Sequence, residues 1–160
     1  MIHKQRQVRL NPAEETIQLG QLQVHFLVTG AESNGSVAIF EVSIPAGAKL
    51  PAPAHSHDAF EETIYGLEGI SIWTVDGVPI EVGPGQTLCI RRGAVHAFAN
   101  HRSNVDAKVL AVASPAAIGP EYFREAAAVM NAAAGGPPDR DKMVQIMRRY
   151  GLTPAPLPSI

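Results

Sequence analysis

Residues able to do chemistry gather at two places in this 160-residue chain. The first is His55-Ser56-His57, followed by Glu62. Two histidines at i and i+2 on an extended strand project to the same side, so both imidazoles can reach one point. Glu62 stands an odd number of residues beyond His57, and unbroken alternation would turn it to the opposite face. Asp58-Ala59-Phe60 must therefore turn if Glu62 is to face the histidines. The second place is Gly93-Ala94-Val95-His96, where glycine marks a turn and His96 opens a new strand. Three imidazoles and one carboxylate from three strand ends could surround a single divalent metal with positions left open. That is a catalytic set rather than a closed structural one. Imidazole and carboxylate accept Fe, Mn, Ni, Cu or Zn, so the ligands do not select the metal.

Short strands must position these groups. With 14 glycines and 13 prolines punctuating short apolar stretches, the chain reads as all-β. Strands are expected at Leu22–Val28, Val37–Ile44, Glu62–Leu67, Ile70–Val75, Val78–Val82, Thr87–Ile90, His96–Asn100 and Val109–Ser114. Asp76-Gly77 closes a tight hairpin, both residues tolerating positive φ. After Ser114 the composition changes. Pro120 opens a helix through the alanine run, ended by Gly135-Gly136-Pro137-Pro138. A second helix starts at the N-cap candidate Asp139 and ends at Gly151. Its Met143, Ile146, Met147 and Tyr150 form one apolar stripe. The division is an N-terminal arm and barrel over 1–114 and a two-helix extension over 115–160. The helices are expected to pack on the barrel or a partner subunit, the alternative being a lid over a pocket mouth.

The spacing resembles the two motifs of the cupin superfamily, G-x5-H-x-H-x3/4-E-x6-G and G-x5-P-x-G-x2-H-x3-N. His57, Glu62 and Gly69 keep the first spacing, and Gly85, Gly93, His96 and Asn100 fall in register with the second. Gly47 stands two residues too far from His55, an insertion around Pro51 and Pro53 that should affect only a loop. Arg91 replaces the second motif's proline. The resemblance covers roughly residues 20–114. It implies a double-stranded β-helix, the jelly-roll barrel, with His55, His57, Glu62 and His96 binding one divalent transition metal ion per subunit.

On that fold, parity turns Phe40, Val42, Ile64, Gly66, Phe98 and Asn100 inward. Gly66 replaces the bulky aliphatic of many relatives, so extra volume is expected beside the metal. Asn100 either donates a hydrogen bond near the site or closes the next turn. Glu61, beside Glu62, points out as a solvated or interface charge; His101 is read as a surface or turn residue, and His3 and His25 are assigned no role. Cys89 reads as a small buried hydrophobe. An apolar pocket favours an uncharged or weakly acidic organic ligand over a polyanion.

Other function classes are narrowed by composition. With 13 Lys+Arg against 15 Asp+Glu, the chain offers no electrostatic footprint for nucleic acid or an anionic membrane. One cysteine excludes an intrachain disulfide framework. The polar start MIHKQRQVRLNP lacks the apolar core of a leader, which predicts a cytoplasmic protein. The leading expectation is a metal-dependent dioxygenase acting on a small enolic or phenolic molecule, with Glu62 taking the proton. The alternatives are a non-oxidative isomerase, lyase or decarboxylase, and a ligand-binding protein without turnover. A homodimer is expected, since Tyr65, Trp73 by parity and the helical stripe offer apolar outer faces.

Overall fold

The computed structural model describes residues 15–101 and 104–156. Alternation between buried and exposed side chains runs through its longest strands, as a sheet with one face on a core requires. In chain order the elements are β1 (Glu15–Leu19), β2 (Leu22–Val28), β3 (Ala38–Ile44), β4 (His55–His57), β5 (Glu61–Glu68), β6 (Ser71–Val75), β7 (Val78–Val82), β8 (Thr87–Ile90), β9 (His96–Ala99) and β10 (Ala107–Ser114). The helices α1 (Pro120–Ala132) and α2 (Arg140–Arg149) follow, and then β11 (Leu152–Pro154). The larger sheet runs β1-β2-β3-β10-β5-β8 and the smaller β11-β4-β9-β6-β7, every pair antiparallel. The two sheets face one another across a single core. Mostly β structure with two short C-terminal helices is the class that the sequence predicts.

Two strands escape the sequence reading. β1 alternates, with Ile17 and Leu19 buried, and pairs with β2. β11 is three residues ending in proline and carries no periodic signal, yet it pairs with β4. The C-terminal segment is therefore woven into the sheet that holds two of the histidines. Gly151 O accepts from Asp58 N at 2.9 Å, and Ala155 N donates to Ala54 O at 2.7 Å.

Local chemistry explains the punctuation. Asp76 and Gly77 both have positive φ, +48° and +81°, and join β6 to β7. Proline at the first turn starts α1. Asp139 caps α2 by accepting from Lys142 N at 3.1 Å. In α2, Met143, Ile146 and Met147 are buried, while Arg148 and Arg149 sit in its last turn against the helix dipole. Arg149 also bonds Glu125 of α1, tying the helices together. Helix α1 lies along β1. Its Phe123 meets Phe26 and Phe40 edge-on, at ring-centroid distances of 5.6 and 5.3 Å.

Two expected placements are overturned. Trp73 is 1% exposed and faces the core, not the outside. Ser71, Ile72 and Trp73 are all buried, so parity cannot tell the faces of β6 apart. Its indole Nε1 donates to Ser71 Oγ at 3.0 Å, satisfying the buried N–H. Cys89 is exposed on the edge strand β8, opposite Thr63. Among the apolar outer positions Tyr65 remains open, at 41%. His3 lies outside the described residues.

Candidate metal centre

The smaller sheet brings the three histidines together. β4 pairs with β9 so that His55 and His96 are direct partners, and His57 lies two residues along β4. One nitrogen from each of His55, His57 and His96 lies within 4.8 Å of the others, and all three side chains are buried. Glu62 reaches them from the larger sheet across the core. Its Oε2 is 3.5 Å from His96 Nε2 and 3.9 Å from His57 Nε2, with the side chain 13% exposed. The bend at Asp58-Ala59 makes this possible, as the odd spacing requires.

Ring orientation is set from behind. His55 Nδ1 lies 2.9 Å from Pro53 O, and His96 Nδ1 lies 3.1 Å from Ala94 O. A carbonyl accepts only, so each Nδ1 carries a proton and each ring turns Nε2 toward the cluster; in His55 that nitrogen keeps its lone pair, and in His96 it bonds Glu62. The insertion around Pro51 and Pro53 thus reaches the site after all, because its carbonyl orients His55. His57 Nδ1 has no hydrogen-bond partner among the described residues. That ring is held by stacking on Phe60, at 4.1 Å and 18°. The second motif's turn survives the loss of its proline: Gly93 takes φ +79°, and Gly93 N donates to His57 O at 3.0 Å.

The protonation states suit a cation. Burial pulls His55 down to about 3, helped by the neighbouring His96. Burial likewise lowers His57, to about 4, against the pull of Glu62. For Glu62, burial pushes the carboxyl up, but the His96 hydrogen bond and the charges of the histidines hold it below the usual glutamate value. His96 is the counterpart: burial lowers it, yet the bond and charge of Glu62 leave it raised. Two neutral imidazoles, a third paired with a carboxylate, and two rings held through Nδ1 so that Nε2 faces the cluster match a transition-metal donor set. Ligand nitrogens about 2.1 Å from one ion lie up to about 4 Å apart, so small side-chain rotations would close the cluster on a metal.

These groups open on a cavity of about 60 Å³. On that scale one water needs roughly 10–15 Å³, so the space suits a few waters or one small molecule. Phe40, Val42, Phe98 and Trp73 line it. Ile64, Gly66 and Asn100 lie elsewhere. Ile64 is sealed in the core. Gly66 makes room for backbone rather than ligand, because a Cβ there would stand 2.0 Å from Gly83 O. Asn100 closes a turn, its Nδ2 donating to Ile44 O at 3.0 Å and Val105 O at 2.9 Å. Glu61 is tied on the surface to Arg92 at 2.8 Å and stands apart from the cluster.

Sequence reasoning missed the far wall. Helix α1 contributes Tyr122, Phe123, Ala126 and Met130 to the cavity, and β11 contributes Leu152. The extension therefore both packs on the barrel and covers the site. Beyond the histidines, Glu62 and Tyr122, the lining is apolar. Burial and the charge of Glu62 keep the Tyr122 phenol protonated far above neutral pH.

A cupin-domain family model matches residues 40–113, which carry all four of these groups. No curated protein matches the sequence. Among solved structures, the polyketide cyclase RemF of Streptomyces resistomycificus is 26% identical with a TM-score of 0.52, over 59% of this chain and 66% of the cyclase. A protein of Thermotoga maritima described as a predicted oxalate decarboxylase is 21% identical with a TM-score of 0.55, over 63% of this chain and 90% of its own. A sugar phosphate isomerase of Silicibacter pomeroyi is 21% identical with a TM-score of 0.51, and this chain spans 60% of its length. Two opposed antiparallel sheets and a buried three-histidine cluster facing a glutamate thus sit in a chain whose residues 40–113, a little under half of it, match the cupin-domain family model.

Proposed function

We propose that the protein is a mononuclear metal-dependent enzyme, a dioxygenase that acts on a small enolic or phenolic molecule with dioxygen as co-substrate. The observation that carries the metal reading is the pair of backbone carbonyls that hold His55 and His96 with Nε2 turned toward His57 and Glu62. A divalent transition metal held by these four residues supplies Lewis acidity toward a substrate oxygen and, when redox-active, a route to dioxygen. Glu62 is the proton acceptor: its carboxylate is held ionised and stands within 3.9 Å of two ligand nitrogens. Phe40, Val42 and Phe98 hold the carbon skeleton and keep bulk water out.

Elemental analysis of protein purified without added metal, beside His57→Ala, tests the centre. Near-stoichiometric metal is expected in the wild type and a more than tenfold lower content in the variant. Oxygen uptake over a panel of flavonols, β-diketones and catechols tests the reaction. A metal-loaded protein that consumes no oxygen on any of them overturns dioxygenation. A second reading, non-oxidative proton transfer such as isomerisation, ring closure or decarboxylation, is favoured by the likeness to the cyclase and by a buried carboxylate that can move a proton without dioxygen.

A further inference from the structure

Tyr122 has a hydroxyl that bonds none of the described residues. Its ring is well held, meeting Phe123 at 5.0 Å and 74° and Tyr150 at 5.6 Å and 66°. The residue is 4% exposed. Buried tyrosine hydroxyls normally find a hydrogen-bond partner. Among the described residues Tyr122 has none, and its hydroxyl is not one of the atoms sealed away without one. The residue lines the cavity shared by Glu62 and the three histidines, and the charge of Glu62 acts on its phenol. Its neighbour on the helix hairpin shows the contrast. Tyr150 donates its hydroxyl to Glu125 Oε1 at 2.7 Å, outside the cavity, where it ties α2 to α1.

A wall that is otherwise apolar gives a bound molecule one neutral donor. A hydroxyl that no described protein group occupies, on a residue lining the same cavity as a carboxylate and a candidate cation site, is placed to meet a ligand oxygen. We propose that Tyr122 is a substrate-contacting residue, donating its O–H to an oxygen of the molecule held at the candidate metal centre. This rests on the metal-dependent reading above. Substrates of the site then carry two oxygens on one small apolar skeleton, one at the metal and one at Tyr122. Enolic β-diketones and catechol-like diols meet that description, and a hydrocarbon or a mono-oxygenated molecule does not.

The test is equilibrium titration of the metal-loaded full-length protein with acetylacetone, a small β-diketone, followed by absorbance. Tyr122→Phe removes one oxygen and no hydrogen bond to a described residue, so its metal content and melting temperature are expected to equal the wild type's. Its dissociation constant for acetylacetone is expected to be about five- to tenfold weaker, the loss of one hydrogen bond. Tyr150→Phe, which loses a hydroxyl outside the cavity, is expected to bind as the wild type does. Equal affinity in Tyr122→Phe overturns the proposal, as does a wild type that holds metal but does not bind the diketone. A wild type that holds no metal overturns the underlying reading instead, and elemental analysis of the same samples separates the two.

Discussion

Burial makes the histidines of the cluster poor bases, and this sets how the protein responds to acid. His55 falls to about 3 and His57 to about 4, from an ordinary 6.5, because a charged imidazole in the core loses its hydration. Between those values and 6.5 the unfolded chain binds protons that the folded chain does not. Stability therefore rises with pH across that window and is lost as pH falls through it. Glu62, held below the usual carboxylate value, acts in the same sense lower down, its contribution vanishing as pH falls through its folded value. His96, raised by Glu62, acts oppositely: its contribution is complete below 6.5 and is lost as pH rises through its folded value. Two large terms outweigh one. The melting temperature of the metal-free protein is expected to fall steadily from pH 6.5 to pH 4, and the slope to flatten in His55→Asn. A flat profile in the wild type would contradict the burial argument. The four polar groups were legible in the sequence because strand parity and motif spacing are local facts. Tyr122 was not, because its role depends on a helix folding back over a barrel mouth some sixty residues after Glu62.

Most strand positions follow from alternation and turn chemistry, but the reason for a given residue can lie on another element. Gly66 illustrates the difference. Its place in β5 on the face of Glu62 and Ile64 made it look like space beside a ligand. Instead the loop after β7 presses on it: Gly66 N donates to Gln86 O and Gly66 O accepts from Gly85 N, both at 3.0 Å. No periodicity announces a contact between a strand and a loop some seventeen residues on. An added Cβ would meet Gly83 O at 2.0 Å, and a backbone carbonyl cannot swing aside as a side chain can. Gly66→Ala is accordingly expected to cost about 3 kcal/mol, the range of overpacked core sites. For a chain of this size that lowers the melting temperature by roughly 10 °C. Metal content should be unchanged, because the strain falls on the loop and not on the cluster. If the variant melts with the wild type, the loop is not seated where the structure has it. Asn100 teaches the same lesson, since parity placed it with His96 and Phe98 while the chain turns there and uses the amide as a latch.

At the scale of the molecule, the C-terminal segment makes one unit of what reads in sequence as a barrel and an appendage. β4 is only three residues long and carries two of the three histidines. On one side it has β9, and on the other β11, which comes from the end of the described chain. Thr153 Oγ1 adds a bond to the Asp58 carboxylate at 2.9 Å, just past His57. Helix α1 covers the cavity, α2 returns the chain, and β11 pairs with the strand that carries His55 and His57. Leu152 sits at the centre of this arrangement, 1% exposed, paired with His57 in register and lining the cavity. Leu152→Ala removes buried methyl groups from a site that backbone pairing prevents from collapsing, a loss of about 3 kcal/mol. It should also loosen the seat of His57, so metal retention during dialysis against a mild chelator is expected to drop while Gly66→Ala retains its metal. The comparison separates general destabilisation from a specific effect on the cluster, since both variants lose similar stability and only one touches the strand that carries His55 and His57. Equal retention in the two would mean that β11 stabilises the barrel without positioning the site. Unequal retention would show that the end of the chain is part of the metal centre's scaffold.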